Sequence, residues 1–200
     1  MKNIASKLPL ALIAIGIIAV LFNATTEAYS TDTEQSIDNT LTITITLSET
    51  LRPNAVGTYT TWTASAGANW ECVDEVTPDE DTTYVYTSTK NLWDSYNLQN
   101  STGSGTISNV RAYVRIRNLS VAGLPAIIPG LAIGGVARAG VQQEITTSYA
   151  DYYSDWAQNP ATLAAWTWAD IDALEVAFRS RRATTEFRVT TVWVVVKYTP

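Results

Sequence analysis

Residues Thr40 to Glu49 read TLTITITLSE, with Leu41, Ile43, Ile45 and Leu47 alternating with Thr42, Thr44 and Thr46. Successive side chains on a β-strand point to opposite faces, so this stretch predicts a strand with one apolar face and one hydroxyl face. The pattern recurs outward along the chain. Thr58 to Thr63 and Thr82 to Ser88 alternate Thr and Tyr. Thr106 to Arg117 (TISNVRAYVRIR) offers Ile107, Val110, Tyr113 or Val114, and Ile116 as its inward set. Gln142 to Asp155 carries a Tyr-rich strand, and Thr185 to Tyr198 ends the chain with TEFRVTTVWVVVKY. The prolines after the leader (Pro53, Pro78, Pro125, Pro129, Pro160 and Pro200) read as segment edges, where a residue without an N–H costs a sheet least.

One segment has a different period. Trp168, Ile171, Leu174 and Phe178 are spaced for a helix, with Thr167 and Asp170 as a capping pair and Asp172 and Glu175 in its early turns. Many short strands and one short helix predict an all-β fold, a two-sheet antiparallel sandwich of jelly-roll type. Leu119 to Ala139 is apolar but broken by Pro125, Pro129 and several glycines. It reads either as a hairpin covering the core or as an exposed apolar contact patch.

Three units organise the 200 residues. Residues 1–30 join a basic start (Lys2, Lys7) to an uncharged apolar run, Leu8 to Phe22, and end in small residues. They read as a signal peptide cut after Ala28 or Ser30, or as a retained membrane anchor. Residues 31–49 form a polar arm and the extra strand, and residues 50–200 the sandwich. Both leader readings place the rest of the chain outside the cytoplasm. Sequons at Asn100 and Asn118 are then candidate glycosylation sites.

Composition excludes several functions. There is no histidine, which removes imidazole triads, His-ligated metals and imidazole general bases. Cys72 is the one cysteine and reads as a small buried apolar residue. The formal charge is −6, which argues against nucleic acid as a partner. No residue pair presents itself as catalytic. Glu71 beside Trp70 and Glu186 beside Phe187 are the nearest to the paired carboxylates of a glycosidase.

The acidic loop is the strongest local signal. Asp74, Glu75, Asp79, Glu80 and Asp81 cluster around Pro78, and a structural Ca²⁺ site needs such oxygen ligands. A solvated turn is the alternative, and Asp151 and Asp155 are possible additions to the cluster. The seven tryptophans offer a sugar-stacking platform if some are exposed. Trp62 and Trp93 are the candidates for exposure, whereas Trp166, Trp168 and Trp193 are expected in the core. Arg181 and Arg182 read as a solvated basic turn.

Several strings in order carry a resemblance: TLRPN (50–54), NWECVDEVTPDEDTTYVYTST (69–89), DSYNL (94–98), GTISNVRAYVRIR, TTSYADYYSDWAQNPAT, AWTWADIDALE and RVTTVWVVVKY. The series resembles a recurring β-sandwich module of phage structural proteins and exported bacterial and archaeal proteins, over roughly Thr50 to Tyr198. The resemblance implies a jelly-roll-type fold in a structural or adhesive setting, with no catalytic motif to transfer. It departs in three places: Leu163 follows NPAT where the module tends to have Gly, the apolar stretch after Asn118 is longer, and the strand before Thr50 is extra.

The resulting expectation is a secreted structural subunit of an extracellular filament or surface appendage. Self-association would come through Leu41, Ile43, Ile45 and Leu47, added as a donor strand to a neighbouring copy. A secreted module binding cell-surface glycan is the alternative, and a virion protein a third reading.

Overall fold

The computed structural model describes residues 45–181 and 185–200. The leader, the polar arm, Leu41, Ile43 and Arg182 lie outside them.

Twelve strands and one helix follow in order: β1 (Leu47–Leu51), β2 (Pro53–Thr60), β3 (Thr63–Ala64), β4 (Val85–Thr87), β5 (Trp93–Leu98), β6 (Thr106–Asn118), β7 (Ala126–Ile133), β8 (Val136–Ala139), β9 (Gln143–Glu144), β10 (Ala150–Trp156), α1 (Trp168–Ala173), β11 (Leu174–Arg181) and β12 (Phe187–Thr199). All pairings are antiparallel. The first sheet runs β10-β6-β12-β4-β3, with β1 on the other half of β12. The second runs β2-β5-β11-β7-β8, with β9 also on β7. The chain crosses from sheet to sheet at most connections, which is the jelly-roll-like sandwich expected from the strand pattern.

Bulges decide which residues face inward. On β12, Val189 opposes Ile116 but Thr191 opposes Arg115, so Thr190 is an extra residue that switches the alternation. Phe187 and Val189 point inward before it, and Val192, Val194 and Val196 after it. Trp193 is thereby turned to the outer face, which corrects its expected place in the core. On β6 a second shift, at Ser108, lets both Ile107 and Val110 face the core, and Val114 rather than Tyr113 is buried. The facing sheet contributes Tyr96, Leu98, Ile127, Leu131, Leu174, Val176 and Phe178.

Trp62 is buried, edge-on to Phe178 at 4.9 Å, so its expected exposure is also corrected. Trp166 is buried as expected. Trp168 is half-buried against Tyr198. Cys72 is buried and free.

The helix is shorter than its spacing predicts. Thr167 and Asp170 form the expected reciprocal cap, but α1 ends at Ala173. Leu174 and Phe178 are four apart, a separation that also puts them on one side of a strand, and both sit on the inner face of β11. The apolar stretch after Asn118 contains the hairpin β7–β8, closed by Gly134 and Gly135 at φ 59° and 75°. A two-residue turn with both φ positive matches strand twist, and glycine adopts it without strain. Pro129 lies inside β7, not at a segment edge. Its carbonyl accepts from Gly140 N–H, so its ring nitrogen faces the break between β8 and β9, where no ladder bond is missed.

The strand before Thr50 pairs within its own domain. Leu47 to Leu51 run against Val194 to Tyr198. Leu47 is half-buried opposite Tyr198, while Ile45 precedes the strand and is exposed. The β12 edge thus takes up residues 47–51 within the same chain, while the donor-strand expectation rests also on Leu41 and Ile43, which lie outside the described residues.

Candidate functional site

The two outer sheet faces both carry aromatic rings, but in different postures. On the first sheet, Tyr153, Tyr113 and Trp193 are direct cross-strand partners on β10, β6 and β12. Tyr113 and Trp193 stack 4.6 Å apart and 8° from parallel. Neighbouring strands are about 4.8 Å apart, so rings stacked at that spacing stand upright. Tyr153 lies 5.4 Å from Tyr113. The guanidinium of Arg111 sits 4.0 Å from Tyr153, and that of Arg52 sits 5.6 Å from Trp193. Tyr113 and Trp193 thus cover a face of each other, and guanidinium groups lie against Tyr153 and Trp193, so much of this row's ring surface is already in contact.

Arginines on that face are paired. Arg111 grips Asp155 through Nε and Nη2 at 2.7 and 2.9 Å. Arg115 holds Glu80 and Asp151, Arg117 holds Asp81, and Arg188 holds Asp81 and Glu186. This is where much of the acidic loop goes. Although burial acts the other way, bonds from Arg188 and Tyr149 hold Asp81 below the usual carboxylate range. Thr83 Oγ1 lies 2.7 Å from both Glu75 Oε1 and Asp79 Oδ2. Burial, with the neighbouring charges of Asp79 and Asp74, pushes Glu75 up. Burial likewise raises Asp74. Four of the five loop acids are thus divided between arginines and hydroxyls. Among the described residues, no group of three or more His, Cys, Asp or Glu has the arrangement of a metal site.

Glu71 accepts from Ala68 N–H to close a 3-10 turn at Asn69–Cys72, and Glu186 pairs with Arg188, so these carboxylates serve local structure. Asn118 is buried and bonded to Thr185 and Ser120, whereas Asn100 is exposed.

On the second sheet an aromatic ring lies flat. Trp93 belongs to β5 and Gly130 to β7, with β11 between them. A Cβ at Gly130 would come within 2.8 Å of Trp93 Cζ3 and 3.1 Å of Cη2. The indole therefore reclines across β11 over small residues, Ser95, Ala177 and Gly130, which share one cross-strand row. Only glycine leaves it that room.

Tyr59 lies beside it, 6.4 Å between ring centres. A bulge delivers it: Val56 opposes Tyr96 and Thr60 opposes Asp94, so residues 57–59 arch over β5. Glu175 holds the arch, accepting from Thr58 N–H at 2.8 Å, Thr58 Oγ1 at 2.6 Å and Ser95 Oγ at 2.5 Å. Ser95 Oγ in turn accepts from Tyr59 N–H. The far end of Tyr59 is fixed at the β7–β8 turn, its hydroxyl donating to Gly135 O and accepting from Ala137 N–H.

Polar side chains continue the surface. Arg179, the cross-strand partner of Trp93, has its guanidinium 5.3 Å from that ring. Arg181 donates to Asn91 Oδ1 at 2.6 Å and Gln142 Oε1 at 3.3 Å. Arg181 is thus the end of β11, not a free turn. Beneath the sheet, Asp94 is buried and accepts from Thr61 N–H, Tyr96 Oη and Asn69 Nδ2. Burial pushes it up to about 6 against those donors.

Sequence reading singled out Trp93 among the exposed candidates but missed Tyr59, Arg179, Glu175 and Gly130. With Trp93 they come from four different strands, and only the strand order gathers them.

No family model matches the sequence, and no curated protein does. Among solved structures, the chain is similar to the CBM22-1–GH10 modules of Clostridium thermocellum endo-1,4-β-D-xylanase 10B (TM-score 0.41, 7% identity, 68% of this chain and 24% of that one). It is also similar to the CBM22-1 xylan-binding domain of Paenibacillus barcinonensis Xyn10C (TM-score 0.38, 10% identity, 73% of this chain and 92% of that one). A third is the enzymatically active domain of tailspike protein 4 from bacteriophage CBA120 (TM-score 0.36, 10% identity, 75% and 19%). The chain spans about a quarter of the first of these and most of the second.

Proposed function

We propose that this chain is an exported, non-catalytic sugar-binding module whose glycan lies on the outer face of the second sheet. The observation that carries the reading is the reclining, half-exposed Trp93 with Tyr59 beside it. A pyranose ring presents an axial C–H surface and a hydroxyl rim. Aromatic side chains with an apolar body and a polar neighbourhood suit such a ligand. The flat Trp93 offers the part of its face beside the Arg179 guanidinium, whereas Tyr113 and Trp193 cover a face of each other by stacking. Amide and guanidinium groups of Asn91, Asn97, Gln142 and Arg179 supply hydrogen bonds for hydroxyls around the platform.

The platform is held before any ligand arrives. Gly130 and Ala177 set the floor for Trp93, and both ends of Tyr59 are bonded. Binding therefore spends little on ordering side chains. The home pairing of β1 favours this reading over a donor-strand filament.

Affinity electrophoresis against a panel of immobilised polysaccharides tests it. The intact protein should be retarded by at least one, Trp93→Ala should run freely in it, and Tyr153→Ala on the opposite sheet should behave as the parent. No retardation across the panel, or unchanged retardation of Trp93→Ala, would refute it.

A further inference from the structure

The charge on the two faces differs in a way the sugar-binding reading alone does not require. On the first sheet, Arg111, Arg115, Arg117 and Arg188 each have a carboxylate partner within 3.0 Å. On the second, Arg179 and Arg181 point to the same side of β11 two residues apart, and neither has a carboxylate partner among the described residues. Arg181 is held by two neutral amide oxygens, and Arg179 Nε is buried with no hydrogen-bond acceptor. Burial and the charge of Arg181 both act to lower Arg179. The chain as a whole carries −6, with 19 acidic residues to 13 basic. In such a chain two arginines beside the aromatic platform are left with unmatched charge and spare donors.

We propose that the platform takes an anionic glycan, with Trp93 and Tyr59 under the sugar rings and Arg179 and Arg181 paired with acidic groups along the chain. The proposal rests on the sugar-binding reading and adds the substrate class. Guanidinium groups meet carboxylate or sulfate through paired, charge-assisted bonds, the geometry that neutral hydroxyls cannot fully use. An incoming anion would meet the guanidinium donors that no carboxylate of the described residues takes up. It would also relieve the repulsion between the two arginines. The bound group is a uronate carboxylate or a sulfate ester, since both present the required oxygens.

The test compares polygalacturonate, its carboxyl-reduced form, and dextran sulfate beside neutral dextran, each by isothermal titration at low and high salt. The intact protein should bind polygalacturonate at least about tenfold more tightly than the reduced polymer, the size of one charge-assisted contact. The advantage should shrink as salt rises. Arg181→Gln should reduce that ratio about tenfold, and Arg181→Lys should restore part of it. A preference for dextran sulfate over both polygalacturonate and neutral dextran, abolished by Trp93→Ala and by Arg181→Gln, supports the proposal with sulfate as the anion. Equal binding of polygalacturonate and its reduced form, both lost in Trp93→Ala, overturns the proposal and leaves the sugar-binding reading standing. Binding of the anionic polymers that Trp93→Ala does not weaken is adsorption by charge alone and overturns the proposal. Binding of neither charged nor neutral polymers overturns both.

Discussion

Replacing Leu163 by glycine should stabilise the protein. Leu163 has φ 60°, in the left-handed region, and its side chain is 75% exposed. Its loop is fixed by Leu163 N–H to Asn159 O at 2.8 Å and Asn159 N–H to Ala164 O at 2.9 Å, so the backbone cannot relax without losing them. A side chain in that region costs about 1–2 kcal/mol through its Cβ. Glycine returns that cost and loses about 0.5–1 kcal/mol through the greater freedom of its unfolded chain. Little apolar burial is at stake at such exposure. The net gain is about 0.5–1 kcal/mol, or about 1–4 °C in Tm for a domain of this size. Scanning calorimetry of Leu163→Gly and Leu163→Ala separates the backbone effect from side-chain loss, because alanine keeps the Cβ. The glycine variant should melt higher, and the alanine variant within about 1 °C of the parent. A glycine variant that melts lower than alanine would refute the positive φ.

Asp94→Asn should flatten the pH dependence of stability. Asp94 titrates near 6 in the fold and near 3.9 unfolded, so the folded chain holds the proton more tightly. Its stabilising contribution is complete below about pH 4 and is lost as pH rises through 6, on the order of 2–3 kcal/mol in urea titrations. A slope unchanged in the Asn variant would count against this. Glu175→Ala should cost about 2–3 kcal/mol by removing the acceptor of Thr58 N–H and of the Thr58 and Ser95 hydroxyls. It should also weaken glycan retention by freeing the Tyr59 arch, and retention equal to the parent would show that the arch is not needed. A chelator should leave the Tm unchanged, since arginines already hold Glu80 and Asp81. A fall in Tm would support the Ca²⁺ expectation instead.

The fold was legible where alternation was clean and where turns were punctuated. Thr106 to Arg117 reads as the strand it is because its inward residues recur at every second place over most of its length. Trp193 was misread because VTTVWVVV is apolar at both parities, and only the Thr190 bulge decides which side turns out. Leu174 and Phe178 fit a helix and a strand equally, and the facing sheet, not the local pattern, chose the strand. Pro129 hid β7, since the break between β8 and β9 that accommodates it is a tertiary feature. Leu163, by contrast, stands at φ 60°, a local reason why the resemblance leads one to expect glycine there. The platform left almost no trace in sequence, because the reclining posture of Trp93 depends on a glycine thirty-seven positions away, at 130.

Where the sugar sits is the most direct question. The seven tryptophans give seven indole N–H signals in a proton–nitrogen correlation spectrum, and each can be assigned by substitution. Titrating an oligosaccharide of a retained polysaccharide should move the Trp93 signal first and furthest. The buried Trp62 and Trp166 signals should stay in place. Shifts centred on Trp193 would put the ligand on the upright row of the first sheet and contradict the account, as would a Trp93 signal that does not move at saturation.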